Sequence, residues 1–143
     1  QNVVYRDRLI LSIAIDILWE VSIMEQYKLF DAEFKFMRIV WDAEPLTTRK
    51  LTEICRERLG WKRTTTYTVL RKLIDRGMLK NENSIVTSVA KREQVQKYES
   101  ETIIEKAFDG SLPKFIAAFL NDRTLSDDEA EEIKKLIESH KEG

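Results

Sequence analysis

The stretch from Gly60 to Leu79, GWKRTTTYTVLRKLIDRGML, admits few folds. It opens on a basic loop, Lys62-Arg63, passes through Thr64, Thr65 and Thr66, and continues as a helical run. Val69, Leu70, Leu73 and Ile74 recur at helical spacing and define one buried face. Arg71 and Lys72 lie off that face. Gly77 stands where a helix-ending glycine belongs. A helix over about 64–76 that buries one side and offers Thr, Tyr, Arg and Lys at its front suits a DNA major groove. One of the three threonines is enough for an N-cap; three at the head of a basic helix exceed what capping needs.

Two helices precede it. Phe30 to Trp41 (FDAEFKFMRIVW) has Asp31 as candidate cap, with Phe34, Met37, Ile39, Val40 and Trp41 on a broad apolar side. Asp42 to Pro45 reads as a turn. Thr47 caps a second helix, Thr48 to Leu59, with Leu51, Ile54, Cys55 and Leu59 inward. Three short helices, the last basic and polar at its front, make a helix-turn-helix layout. After it, Asn81 to Asn83 reads as a turn, and Ile85 to Val89 is β-prone. Pairing of that strand with Met78 to Lys80 would add a wing. The expected fold is mainly α: a winged helix-turn-helix over 26–91 and a helical dimerisation domain over 92–143.

In the second part a helix is expected from about Glu93 to Phe108, with Val95, Tyr98, Ile103, Ala107 and Phe108 apolar. Asp109-Gly110-Ser111 breaks it, and LPKFIAAFL follows, bringing Phe115, Ile116, Phe119 and Leu120. Ser126 and Glu129 form a capping box for a last helix carrying Ile133, Leu136 and Ile137. These rows of Leu, Ile and Phe exceed what one chain of this length covers. Burial of apolar area is worth roughly 25 cal/mol per Å2, so two copies packing together is the expected outcome. The alternative is folding back on the chain's own DNA-binding part.

Residues 1–25 stand apart as an apolar N-terminal extension. LILSIAIDILWEVSIM is interrupted by Asp16 and Glu20, and falls short of the roughly 20 apolar residues a membrane span needs. It also lacks the basic start and small-residue cleavage site of a signal peptide. As a helix it is apolar nearly all round and calls for burial. A second reading makes residues 1–23 a non-native leader: Trp19-Glu20-Val21 admits codons containing GGAGGT, a bacterial ribosome-binding sequence, just ahead of Met24.

The charge of −1 conceals an asymmetry. Residues 26–92 carry 15 Lys and Arg against 8 Asp and Glu, while 93–143 carry 7 against 13. A basic middle and an acidic tail suit a nucleic-acid module joined to a protein-contact module. With one cysteine, Cys55, and one histidine, His140, the chain holds no disulfide, no Cys/His metal cluster and no rigid nucleophile–base system. No cofactor is expected. Cys55, on an apolar helix face, reads as a buried structural thiol in a reducing cytoplasm.

On this reading Lys62, Arg63 and the helix N-terminus with Thr64 grip phosphates. Thr65 and Thr68 share a face with Arg71 and Lys72 and reach base edges, Arg71 being suited to bidentate contact with guanine. Tyr67 either contacts a phosphate or packs against the first helix. A dimer places two such helices about 34–36 Å apart over a near-palindromic site, with binding that weakens steeply with salt.

Phe30 to about Glu142 resembles the penicillinase-repressor family of bacterial regulators (the BlaI/MecI type). The resemblance rests on LFDAEFKFMRIVW, on GWKRTTTYTVLRKLIDRGML, and on YESETIIEKAFDGSLPKFIAAFL followed by LSDDEAEEIKKLIE. It implies a winged-helix DNA-binding domain, a helical dimerisation domain, and repression of resistance or stress genes through a double-stranded DNA operator. It further implies release by proteolysis within the dimerisation domain, triggered by a membrane sensor-protease.

Three features depart from the family pattern. The family's Asn-Phe cleavage bond is matched here by Thr102-Ile103. The basic, aromatic wing is replaced by NSIVTS at 83–88, which predicts weaker wing contacts. The paired Cys-x-Cys tail of the copper-responsive branch is missing, which argues against copper sensing. Two rival readings remain: a winged-helix regulator released by a small ligand, and a winged-helix protein-interaction module.

Overall fold

The computed structural model describes residues 2–143, with backbone alone described for residues 2 and 20–24. In chain order the elements are α1 (Asn2–Glu25), α2 (Asp31–Ala43), β1 (Leu46–Thr47), α3 (Thr48–Leu59), α4 (Arg63–Asp75), β2 (Leu79–Glu82), β3 (Ile85–Ser88), α5 (Arg92–Phe108), α6 (Leu112–Leu120) and α7 (Asp127–Ser139). Packing divides them into two compact units, 1–100 and 101–143. The fold is mainly α, and the first unit contains a winged helix.

The local chemistry of each helix end explains its place. Thr47 Oγ1 accepts from Lys50 N–H at 3.1 Å and starts α3, as its sequence position predicts. The start of α2 differs from expectation. Its cap position is Phe30, not Asp31, and Glu33 reaches back so that its Oε2 accepts from Phe30 N–H at 3.0 Å. A carboxylate one turn into the helix does the capping where the cap residue itself has no acceptor. Gly77 ends α4 at φ 73°, with Gly77 N–H donating to Ile74 O and Met78 N–H to Leu73 O, the paired bonds of a Schellman motif.

The core sits between α2, α3, α4 and the sheet. Met37, Val40, Leu51, Cys55, Leu70, Leu73, Met78, Leu79, Val86 and Val95 are buried there. Phe36 belongs at its centre as well, fully buried and stacked on Trp61 at 5.9 Å. Phe34, on the expected apolar side, is half-buried at the margin, edge-on to Trp41.

The sheet has the order β1-β3-β2, antiparallel throughout. The hairpin was legible in the sequence, but its turn lies at Asn83-Ser84, where both residues have positive φ, rather than at 81–83. Strand β2 runs through Asn81 and Glu82, which pair with Val86 and Ile85. β1 was not foreseen: two residues make no periodic signal. It exists because Leu46 pairs with Val86 and drops into the core.

α1 forms as a helix, but its described apolar side chains, Leu9 to Trp19 among them, stay exposed instead of finding burial. The core beneath α2–α4 closes without it. The side chains of Glu20 and Met24, on which part of the reading of this segment turned, lie outside the described residues. Among the described residues no helix is long and apolar enough to cross a membrane.

In the second unit, Ser126 accepts from Glu129 N–H, and Glu129 Oε2 accepts from Ser126 N–H, so the expected capping box starts α7. Ser111 caps α6 through Lys114 N–H. Asp109 and Gly110 make the break before it, both at positive φ.

Candidate nucleic-acid interface

α4 is anchored by one face and open on the other. Leu70 and Leu73 are buried and Val69 and Ile74 half-buried, the stripe predicted from the sequence. Thr66 is fully buried too. Its hydroxyl lies 3.5 Å from Lys62 O and is hydrogen-bonded to Cys55. Burial pushes the Cys55 thiol up to about 11, against the opposing pull of Thr66, so this sulfur is a core group with almost no thiolate at neutral pH.

None of the three threonines caps α4. The cap position is Lys62, which offers no side-chain acceptor. The first-turn N–H groups are therefore left open to an anion. Lys62, Arg63, Thr64, Thr65, Tyr67, Thr68 and Arg71 are all exposed. Thr68 Oγ1 donates back to Thr64 O at 2.9 Å, which leaves the lone pairs of this exposed hydroxyl free to accept. Arg71 has no partner among the described residues.

Lys72 was expected beside Arg71 on the reading face and is placed otherwise. Its ammonium lies 2.8 Å from Glu33 Oε1 and 5.4 Å from the centre of the Phe30 ring. Arg76 Nη1 meets the same carboxylate at 3.0 Å, while its Nη2 donates to the carbonyls of Gln26 and Lys28. Burial raises the Glu33 pKa, but the Lys72 hydrogen bond, the Phe30 N–H and the two cations outweigh it and hold the carboxyl below its ordinary value. This buried acid fastens the far end of α4 to α2. Lys72 therefore serves the seating of the helix, because leaving the buried Glu33 carboxylate without a cation would cost more than holding the half-exposed ammonium beside it.

Tyr67 makes a contact to α3 that neither sequence alternative included. Its hydroxyl accepts from Thr48 and from Arg63, in that order of effect, and these hold the phenol below its ordinary pKa. The Arg63 guanidinium also stacks over its ring at 5.4 Å. Tyr67 thus bridges α4 to the start of α3, not to the first helix of the motif. Between α3 and α4 lies an open groove of about 540 Å3, lined by Thr48, Arg49, Thr52, Glu53, Arg56, Arg63 and Tyr67. The α3 residues of this groove were not singled out from the sequence. Their signal was present: Arg49, Thr52 and Arg56 fall at i, i+3 and i+7, one face of a helix.

The wing itself is short of cations. Lys80 pairs with Glu82 at 3.7 Å, and the turn is Asn83-Ser84.

The profile of the penicillinase repressor matches residues 29–139. The chain belongs to the penicillinase repressor family. Among its relatives, the methicillin resistance regulatory protein MecI of Staphylococcus aureus is 24% identical over 115 residues, covering 78% of this chain and 94% of the relative. The penicillinase repressor of Bacillus licheniformis is also 24% identical over 115 residues, covering 90% of that protein. The family's members are winged-helix transcriptional repressors, and at that level so is this chain. At 24% identity most aligned positions differ, so each contact has to be argued from this chain's own side chains.

The residues expected to pair two copies lie mostly in the second unit, where no side chain is buried. Ile103, Ala107, Ile116, Phe119, Ile133, Leu136 and Ile137 are exposed; Phe108, Phe115 and Leu120 are half-buried. Phe108, Phe115 and Phe119 form a chain of aromatic contacts at 5.5 and 6.1 Å. Tyr98 is set apart from these: it is half-buried, with its ring 6.4 Å from that of Tyr27 in the first unit. Thr102 and Ile103, the candidate cleavage position, are both exposed on helical backbone within α5.

Proposed function

We propose that this repressor binds a near-palindromic double-stranded DNA operator as a homodimer, placing α4 of each copy in successive major grooves. The carrying observation is the open front of α4: an uncapped N-terminus flanked by exposed Lys62, Arg63, Thr64, Thr65, Thr68 and Arg71 on a helix whose other face is locked into the core. The N-terminus and Lys62 serve phosphates; Thr65, Thr68 and Arg71 serve base edges. The exposed Leu, Ile and Phe of α6 and α7 support pairing, since a surface so apolar is stabilised by a second copy. The names of the relatives favour resistance genes as targets.

Release through cleavage by a membrane sensor-protease is part of the same reading, with Thr102-Ile103 as the matching bond. That bond lies on a helix, so cutting there requires α5 to open locally. The test is a salt-series mobility shift with DNA from upstream of the chain's own gene, together with sedimentation. A dimer that binds a palindromic fragment, with affinity falling steeply as salt rises, is the expected result. A monomer, or no binding at low salt, refutes it and favours the protein-interaction reading. Operator release by a small molecule with the chain intact favours the ligand-responsive one.

A further inference from the structure

We propose that the groove between α3 and α4 seats a DNA backbone phosphate, with Arg49, Arg56 and Arg63 as its cations and Tyr67 as the residue that positions Arg63. This rests on the DNA-binding reading above and extends it from α4 to α3.

Three guanidiniums and one carboxylate line the groove. The carboxylate, Glu53, is held aside by Arg49 at 3.4 Å and Lys50 at 3.7 Å. Arg56 has no acidic partner among the described residues. Arg63 is held over the Tyr67 ring instead of by an acid. The groove therefore carries an excess of two positive charges that the described residues do not neutralise. Thr48 and Thr52 add hydroxyls along one wall. The Tyr67 oxygen accepts from Thr48 and Arg63, so its own proton is left to donate outward. Planar guanidiniums and hydroxyls around an open groove match a phosphodiester, which offers acceptor oxygens and one negative charge. The groove adjoins the first turn of α4, because Arg63 and Tyr67 belong to both. A strand whose bases face α4 would bring its backbone here.

A second basic groove, lined by Lys35, Arg38, Ile39, Asp42, Arg58 and Leu59, shares no residue with the first and supplies a charge control.

The experiment measures affinity for operator and for unrelated duplex DNA across a salt series, for the wild type, Arg56→Gln, Tyr67→Phe, Tyr67→Leu and Arg38→Gln. Loss of one phosphate contact lowers the log–log salt slope by about 0.9, which is about eightfold in affinity at 0.1 M salt relative to 1 M. Arg56→Gln is expected to show that loss equally on both DNAs, and Arg38→Gln is expected to leave the slope unchanged. Tyr67→Leu is expected to lose part of the Arg63 contribution, and Tyr67→Phe, which keeps the ring beneath Arg63, to lose less. A wild-type slope retained in Arg56→Gln, or an equal drop in Arg38→Gln, overturns the seat while the DNA-binding reading stands. Failure of the wild type to bind any duplex overturns both. Circular dichroism melts of each variant show that the fold is intact.

Discussion

Glu33 is the position where one substitution should do most to the seating of α4, and the size of the effect follows from its contacts. Its carboxylate accepts from Phe30 N–H at 3.0 Å, from Arg76 at 3.0 Å and faces Lys72 at 2.8 Å. The capping bond is worth about 1 kcal/mol. Arg76 is three-quarters buried, so its charge-assisted bond is taken at about 1.5 kcal/mol. Lys72 is more than half exposed, and solvent screening leaves about 0.5 kcal/mol.

Glu33→Gln keeps the shape and one acceptor, worth about 1 kcal/mol, and loses the charge. The expected destabilisation is about 2 kcal/mol at pH 7, or on the order of 10 °C in Tm for a unit of about 100 residues. The folded-state pKa of Glu33 is lowered, so its contribution is present above its unfolded pKa and disappears as pH falls through the folded value. The gap between wild type and variant should therefore be full at pH 7, narrow below about pH 4 and close in stronger acid. Thermal and urea melts from pH 7 to pH 3 read this directly. A gap below about 0.5 kcal/mol at pH 7, or one unchanged by acid, would refute the role assigned to Glu33.

The other expectations are shorter. Arg71→Ala should weaken operator binding by about 1–3 kcal/mol while sparing unrelated DNA, as read by competition titration; equal weakening on both would make Arg71 a phosphate contact. Cys55, fully buried with its thiol raised to about 11, should resist iodoacetamide at pH 8 in the folded chain and react on unfolding; rapid native labelling would contradict its place in the core. Gly77→Ala meets no atom within 4 Å, so its cost should be the positive-φ strain alone, about 1–2 kcal/mol in a urea melt. Leu136→Glu, on an exposed position of α7, should leave the melting of the first unit in place and shift sedimentation from dimer to monomer; an unchanged sedimentation coefficient would move the pairing surface elsewhere.

Much of the architecture is written locally. The apolar spacing in α4, the Thr47 cap, the Gly77 stop, the Ser126–Glu129 box and the hairpin are each set within a few residues, and periodicity finds such features. The Thr, Arg and Lys at the front of α4 were legible for the same reason: side chains off the apolar stripe point outward. What could not be read were choices made between elements distant in sequence. Lys72 looks like a neighbour of Arg71 until Glu33, on α2, claims it. Tyr67 looks like a free phenol until Thr48, on α3, and Arg63 are found donating to its oxygen. Thr66 resembles Thr64 and Thr65 in sequence, yet alone of the three it enters the core.

By itself, then, the sequence determined that a basic, one-faced helix with an open front would form, since helical spacing and charge are properties of a short stretch of chain. The tertiary structure decided which of its polar side chains remain available. A hydrogen bond or ion pair depends on the three-dimensional approach of residues as far apart as Glu33 and Arg76, a distance that no local pattern encodes.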